Sequence, residues 1–250
     1  MPAMSIALSA TDVCIRHGFK ARDATANLGS FVFEEQPMQA VPIVLAYDFI
    51  CPWCWIGHTN LTAGVKAAAL DAPVDVRYLP FELNPSMPVE GMDRRAYRTQ
   101  KFGSWARSQT LDAQATAAGL AAGLSFDYAQ VARTPNTRRA HRLMQFAMLH
   151  GDSDNVARLF DAIFAAYFSQ GRDIGSIDTL VEIAGEQGFD AHQARESLLS
   201  DADKREVVDA RWSISSVPTV WIDSAVISGA QPPAVFAQAL HAAATQHSAA

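Results

Sequence analysis

The most constraining feature of this sequence is an apolar run, Ile43–Phe49, that is followed almost at once by a Cys-Pro-Trp-Cys motif at residues 51–54. A nearly continuous apolar run of this length is typical of a strand buried on both faces of a parallel sheet. A helix is predicted from Pro52 to Leu70, and the β-branched residues of Val74–Leu83 predict a second strand, parallel to the first. The sequence therefore predicts a βαβ unit with the cysteine pair at the start of its helix.

The spacing of the two cysteines suits reversible disulfide chemistry. Residues three apart on a helix are neighbours, so Cys51 and Cys54 are close enough to form and break a disulfide with little backbone movement. Pro52 falls at the first helical position, where its missing N–H costs little, and the backbone N–H groups of Trp53 and Cys54 can face the Cys51 sulfur. Since Cys51 also lies at the positive end of the helix dipole, we expect it to carry the thiolate and Cys54 to be the shielded resolving thiol.

A metal site is a weaker explanation of the pair. Zinc needs four ligands, or three and a water, and the sequence has no second Cys-x-x-Cys pair and no histidine pair at ligand spacing. No metal site is therefore predicted. Three cysteines are also too few for a disulfide scaffold, and Cys14, which stands apart from the motif, is expected to be incidental.

Four segments are predicted along the chain: an irregular, poorly packed leader over residues 1–40, the βαβ half over 41–85, an inserted all-helical subdomain over 86–200, and a C-terminal half over 201–246. The leader has no period that could bury a face, and Met38 leaves an alternative start of translation open. Helical patterns in the insertion cover Arg94–Leu120, Thr137–His150, Asn155–Phe168, Ile177–Gln187 and Ala191–Leu199. The C-terminal half is predicted to contain a helix over Asp201–Trp212, strands over Thr219–Asp223 and Ala225–Ser228, and a helix after Pro232.

Charge and composition argue against several kinds of partner. The chain has a formal net charge of -6 and no basic run, so neither nucleic acid nor an anionic membrane surface is expected as a partner. The apolar stretch Ile6–Ala10 is short and lacks a preceding basic residue, and no stretch reaches the roughly 20 apolar residues of a membrane span. The sequence therefore predicts a cytoplasmic protein.

Five motifs are spread over residues 43–240: Asp48–Gly57 with its cysteine pair, Phe81–Pro85, Asn136–Arg142, Val217-Pro218 and Ser228–Pro232. In this order they resemble the DsbA-type thioredoxin-fold proteins of the FrnE branch. The resemblance implies an α/β thioredoxin fold with a large helical insertion and disulfide exchange activity. It also implies a cis peptide bond before Pro218, with that proline facing the cysteine pair. A cis bond there would place the backbone of Pro218, which has no N–H, beside Cys51. This arrangement would leave room for an extended substrate strand to pair there.

Several side chains are candidates for substrate binding or for tuning the thiols, besides Pro52 and Trp53 within the motif and Val217 before the proline. Phe81, Leu83 and Trp55 are predicted either to line an apolar groove for a substrate peptide or to pack in the core. The two readings are equally favoured by the sequence.

Two histidines and one carboxylate are further candidates. His58 follows Cys51 on the same face of the predicted helix, where a solvated histidine is favoured over one that tunes the thiolate or carries a proton. His141 belongs to a motif of the resemblance, and a role in the site and a packed core position are evenly balanced. Asp48 is expected to serve the turn between strand and helix, because an unpaired carboxylate beside Cys51 would oppose thiolate formation.

These features predict an enzyme, a thiol–disulfide oxidoreductase that uses no resident cofactor beyond its own disulfide, with thiols or disulfides of proteins or small molecules as substrates. A glutathione-dependent isomerase or transferase of the hydroxychromene-carboxylate or kappa type is the main alternative, since proteins of that type share the thioredoxin core and the helical insertion that the resemblance implies. Such proteins carry serine in place of Cys51 and an acidic residue where this chain has Ala230, so both positions favour dithiol chemistry. Glutathione as a co-substrate stays open. A chaperone module without redox activity would not need two cysteines.

Overall fold

The centre of the fold is a mixed β-sheet. The computed structural model describes residues 40–200 and 214–248. In these ranges the sheet contains β1 (Val41–Tyr47), β2 (Val74–Pro80), β5 (Thr219–Ile222) and β6 (Ala225–Ser228), in the order β2-β1-β5-β6. Strands β1 and β2 are parallel, whereas β5 is antiparallel to both β1 and β6. The predicted βαβ unit is confirmed.

Helices cover the sheet and form the insertion. Helix α1 (Pro52–Ala68) connects β1 to β2 and packs against α8 (Pro233–Ser248). The contact is close at Gly64, where a Cβ atom would lie 2.7 Å from Phe236 Cβ. The remaining described helices belong to the insertion: α2 (Arg94–Phe102), α3 (Trp105–Ala121), α4 (Arg138–His150), α5 (Ser153–Phe168), α6 (Ile177–Glu186) and α7 (Ala191–Leu199). The predicted α/β thioredoxin fold with a large helical insertion is confirmed.

The insertion differs from the prediction in two places. The helix expected over Arg94–Leu120 is divided into α2 and α3, because Gly103 adopts a φ of 86° and the Ser104 side chain caps α3 by accepting from the Arg107 N–H. The insertion is also not entirely helical, since β3 (Met92–Asp93) pairs antiparallel with β4 (Arg133–Thr134). Two-residue strands have no detectable alternation of apolar residues, so sequence reasoning missed them.

An aromatic cluster joins the sheet to the insertion. Tyr47 and Phe49, at and just after the end of β1, are fully buried and make edge and tilted ring contacts with Phe160 and Phe164 of α5. Each such aromatic side chain buries a large apolar area, and paired rings add about 0.5–1.5 kcal/mol beyond that burial. This cluster holds α5 against the region where β1 leads into α1.

Three predictions concern residues outside the described ranges: the irregular leader except residue 40, the incidental role of Cys14, and the helix over Asp201–Trp212. These stay predictions. Within the described ranges, no helix combines the length and apolarity needed to span a membrane.

Candidate active site

Cys51 lies at the N-terminus of α1. It is the N-cap residue, with extended backbone angles, and Pro52 follows it as the first helical residue. The Cys51 N–H donates to the carbonyl oxygen of Asp48 at 3.0 Å, which closes the turn between β1 and α1. The first turn of α1 contains no acidic residue, so the partial positive charge of the helix end is not offset there. Cys51 is 7% exposed and lines a cavity of about 290 Å³.

Cys54 occupies a different environment one turn deeper. It is fully buried, and both cysteines are free thiols in this structure. Burial raises the pKa of the Cys54 thiol well above its ordinary value, and a hydrogen bond with the Cys51 side chain raises it further. The Asp48 backbone N–H opposes this increase in the pKa by donating to the Cys54 sulfur. The structure therefore keeps Cys54 protonated beside the more accessible sulfur of Cys51.

The loop before β5 lies directly against Cys51. The Val217–Pro218 peptide bond is cis, and the Val217 carbonyl oxygen is 3.8 Å from Cys51 Sγ. Gly57 of α1 allows this approach, since a Cβ atom there would lie 3.0 Å from Pro218 Cγ. The Gly229 N–H, after β6, donates to the Pro218 carbonyl oxygen at 2.8 Å. Segments distant in the sequence are thus brought together around the cysteine pair.

Asp48 and His141 form a buried pair behind the cysteines. Both side chains are fully buried, and His141 Nε2 is 3.3 Å from Asp48 Oδ1. The other carboxylate oxygen of Asp48 accepts from the Leu83 N–H at 2.7 Å. The Asp48 backbone carbonyl closes the strand–helix turn, whereas the carboxylate, which was expected to serve this turn, contacts Leu83 after β2 and His141 of α4. His141 lies outside the lining of the cavity beside Cys51 but next to the carboxylate nearest Cys54.

The prediction that His58 is a solvated helix histidine is wrong. His58 is 3% exposed, with Nδ1 3.0 Å from Asp161 Oδ1 and Nε2 3.0 Å from the Tyr78 hydroxyl. Helix α5, which supplies Asp161 and the ring of Phe160, covers this face of α1. Helical spacing placed His58 on the Cys51 face correctly, but it could not show that another helix packs there.

The aromatic candidates separate into cavity and core residues. Trp53 is 41% exposed and lines the cavity beside Cys51, together with Leu83. Trp55 is a core residue, since it is 5% exposed and its ring stacks on Phe164 with centroids 6.1 Å apart. Phe81 is half-buried and does not contribute to the cavity lining.

Sequence reasoning missed the residues that form the opposite wall of the cavity. Arg94, Arg98 and Lys101 of α2 line it, together with Asp112 of α3. The three cations are spaced four and three residues apart, which places them on one face of a helix. This basic stripe was a detectable signal, but nothing in the sequence showed that α2 lies across from Cys51. No group of histidine, cysteine or acidic side chains in the described part of the chain is arranged to hold a metal ion.

Comparison with known proteins identifies the family of this chain. Residues 43–241 match the DSBA-like thioredoxin domain family. The chain belongs to this family. As a member of the DSBA-like family, it is 28% identical over 206 residues to the uncharacterized protein YwbO of Bacillus subtilis (strain 168), covering 80% of this chain and 96% of that protein.

Solved structures show the same fold. A protein described as a probable DsbA oxidoreductase from Streptomyces coelicolor is 28% identical, with a TM-score of 0.70 over 81% of this chain and 89% of its own. A 2-hydroxychromene-2-carboxylate isomerase is 14% identical, with a TM-score of 0.59 over 83% of this chain and 98% of its own. At that identity the isomerase shows a shared fold only. The DSBA-like fold is therefore common to both predicted chemistries, and the residues of the site must distinguish them.

Proposed function

We propose that this member of the DSBA-like family is a thiol–disulfide oxidoreductase of the FrnE type that exchanges disulfides through Cys51 and Cys54. The observation that carries the proposal is the asymmetry of the two thiols. Cys51 lies at a helix N-terminus and lines a cavity, whereas Cys54 is fully buried, hydrogen-bonded to Cys51 and has a raised pKa. Disulfide exchange needs this division into an attacking and a resolving thiol.

The first step is attack by Cys51. Its thiolate sulfur attacks one sulfur of a substrate disulfide, the substrate S–S bond breaks, and one substrate thiolate leaves. A mixed disulfide between Cys51 and the substrate remains. The open end of α1 stabilises negative charge on the Cys51 sulfur before the attack, and Cys54 donates a hydrogen bond to it.

The second step is attack by Cys54 on the Cys51 sulfur. Cys54 must first lose its proton, although burial holds its pKa high. The Asp48–His141 pair is the buried acid–base pair beside it and is suited to receive that proton. The new Cys51–Cys54 bond releases the second substrate thiolate, so that two electrons pass from the enzyme to the substrate. The reverse sequence oxidises a dithiol substrate.

The backbone beside Cys51 supports substrate alignment. Pro218 cannot donate a backbone hydrogen bond, and the Val217 carbonyl oxygen next to it faces the Cys51 sulfur. An extended substrate could therefore pair with this loop while its sulfur reaches Cys51.

The reduction potential of the Cys51–Cys54 pair, compared with that of its compartment, decides whether the enzyme works as oxidant or reductant. The cytoplasmic location stays a prediction.

The two roles can be tested by separate substitutions in a Cys14→Ser background, which removes the third thiol as an alternative attacker. We expect Cys51→Ser to reduce exchange with a protein disulfide, such as that of insulin, to the rate of the reductant alone. Cys54→Ser should accumulate a mixed disulfide at Cys51, detected by mass spectrometry of the intact protein. If Cys54→Ser releases product as fast as the parent protein, Cys54 is not the resolving thiol and the proposal fails.

The isomerase alternative predicts a different pattern for the same variants. Isomerisation needs only a group that activates bound glutathione, and proteins of that type carry serine in place of Cys51. Cys51→Ser would then keep or improve glutathione-dependent turnover of a hydroxychromene carboxylate. Turnover of that substrate by the parent protein, without any disulfide exchange, would replace our proposal with the isomerase function.

A further inference from the structure

The cavity beside Cys51 has two chemically different walls. One is formed by the active-site segment, with Cys51, Pro52 and Trp53, and by Leu83 after β2. The other is formed by the insertion, through α2 and α3 together with residues of β4 and α5. The insertion therefore supplies most of the residues that a molecule reacting at Cys51 would touch.

The insertion wall carries excess positive charge. Arg94 and Arg98 both pair with Asp112, at 2.8 and 2.7 Å, so that one carboxylate serves two guanidinium groups. Asp112 is the one acidic residue among the described residues that line the cavity. Lys101 adds a third cation. The cavity is thus locally positive although the whole chain has a formal charge of -6.

Lys101 is the cation best placed to meet a ligand. Its ammonium group donates to the side-chain oxygen of Asn84 at 3.0 Å and to the Tyr97 hydroxyl at 2.8 Å, and both acceptors are neutral. The described residues provide no carboxylate within ion-pair distance of it, whereas Arg94 and Arg98 are held by Asp112. Lys101 is also exposed, so its charge is available to a molecule that enters the cavity.

The size of the cavity restricts what it can hold. Its volume is about 290 Å³, close to the lower limit of roughly 300 Å³ for small-molecule sites. Ile50, Phe102, Leu111 and Phe168 add apolar surface to the lining, and Tyr97, Thr134 and Tyr167 also contribute to it. Such a space suits one compact molecule that carries negative charge, and it is too small for a folded partner.

We propose that this cavity binds an anionic low-molecular-weight disulfide, with its sulfur at Cys51 and its carboxylate at Lys101, and that Lys101 determines the preference for negative charge. This inference rests on the proposed exchange activity and names its substrate class. The reaction balances as the enzyme dithiol and one small disulfide giving the enzyme disulfide and two small thiols. The formal net charge of -6 would repel an anionic disulfide, so a preference for negative charge must arise from the cations that line the cavity.

The test compares small disulfides that differ mainly in charge: dithiodiglycolate (anionic), hydroxyethyl disulfide (neutral) and cystamine (cationic). Rates of oxidation of the reduced protein are measured by stopped-flow tryptophan fluorescence. Each rate is divided by the rate at which the same disulfide oxidises dithiothreitol, which removes differences in intrinsic reactivity. We expect a normalised preference of about tenfold for the anionic over the neutral disulfide, and a smaller preference at high salt.

Three variants separate charge from structure. Lys101→Gln should bring the normalised preference close to one, and Lys101→Arg should keep it. Lys66→Gln, which removes the same charge from the exposed end of α1 far along the helix from Cys51, should leave the preference unchanged. If Lys101→Gln instead slows all three disulfides equally, Lys101 has a structural role and the inference is overturned.

The failure of this inference is distinguishable from failure of the proposed function. If the parent protein reacts with all three disulfides at equal normalised rates, it is an oxidoreductase without the proposed charge preference. If it reacts with none of them and also fails to exchange with a protein disulfide, both proposals are overturned.

Discussion

Gly64 offers the clearest test of how α1 is held in place. An alanine Cβ at this position would lie 2.7 Å from Phe236 Cβ and 2.8 Å from the Pro233 carbonyl oxygen, both at the start of α8. Carbon atoms in contact prefer separations of about 3.5–4.0 Å, so the helices would have to separate by close to 1 Å. The obstructing atoms belong to backbone and to a Cβ, which cannot rotate away. We therefore expect Gly64→Ala to destabilise the protein.

The magnitude follows from two opposing effects. Overpacking a close contact costs about 1–3 kcal/mol, and a fixed backbone obstacle favours the upper part of that range. Replacing glycine by alanine within a helix returns about 1 kcal/mol. The expected net loss in the free energy of unfolding is about 1–2 kcal/mol, which lowers Tm by about 2–8 °C for a protein of this size.

Gly185 of α6 is the matched control. It is also a helical glycine, but the nearest atom to an added Cβ is Ala191 Cβ at 3.9 Å, an ordinary contact distance. Gly185→Ala should therefore stabilise the protein by up to about 1 kcal/mol. Guanidinium unfolding, followed by far-UV circular dichroism and by tryptophan fluorescence, measures both changes. Equal stabilisation by the two substitutions would refute the argument that α1 and α8 approach too closely for a side chain.

Two further predictions concern the thiols and the buried histidine. In the reduced protein at pH 7, iodoacetamide should modify Cys51 and leave Cys54 unmodified in a peptide map, because burial and the hydrogen bond to Cys51 raise the pKa of Cys54. Labelling of Cys54 should appear only well above pH 9 or on unfolding. Faster labelling of Cys54 than of Cys51 at pH 7 would reverse the two roles. His58→Ala should lower the free energy of unfolding by about 2–4 kcal/mol, because it opens a cavity and leaves the Tyr78 hydroxyl without its partner. The exchange rate of the folded variant should be unchanged, and slower exchange at unchanged stability would instead give His58 a role in tuning Cys51.

Features that depend on local spacing could be predicted from the sequence. The buried run before the cysteine pair, the proline at the first helical position and the three-residue separation together placed Cys51 at the helix end and Cys54 one turn inside. The break between α2 and α3 also depends on local residues, Gly103 and Ser104. The helical pattern on both sides of them nevertheless predicted a single helix. These features are local because backbone preferences and helical periodicity act over a few residues.

Whether a helix face meets water or another helix was decided only by the tertiary structure. His58 and Cys51 share a face of α1, yet α5 covers His58 with Asp161, which is 103 residues away, and a cavity remains beside Cys51. In the same way, the spacing of the α2 cations shows that they share one helix face, but only the tertiary structure places that face opposite Cys51. The sequence by itself determined the identity and order of the reacting groups. The burial, pairing and charge around them depend on which distant segments pack together, and no local pattern encodes that choice.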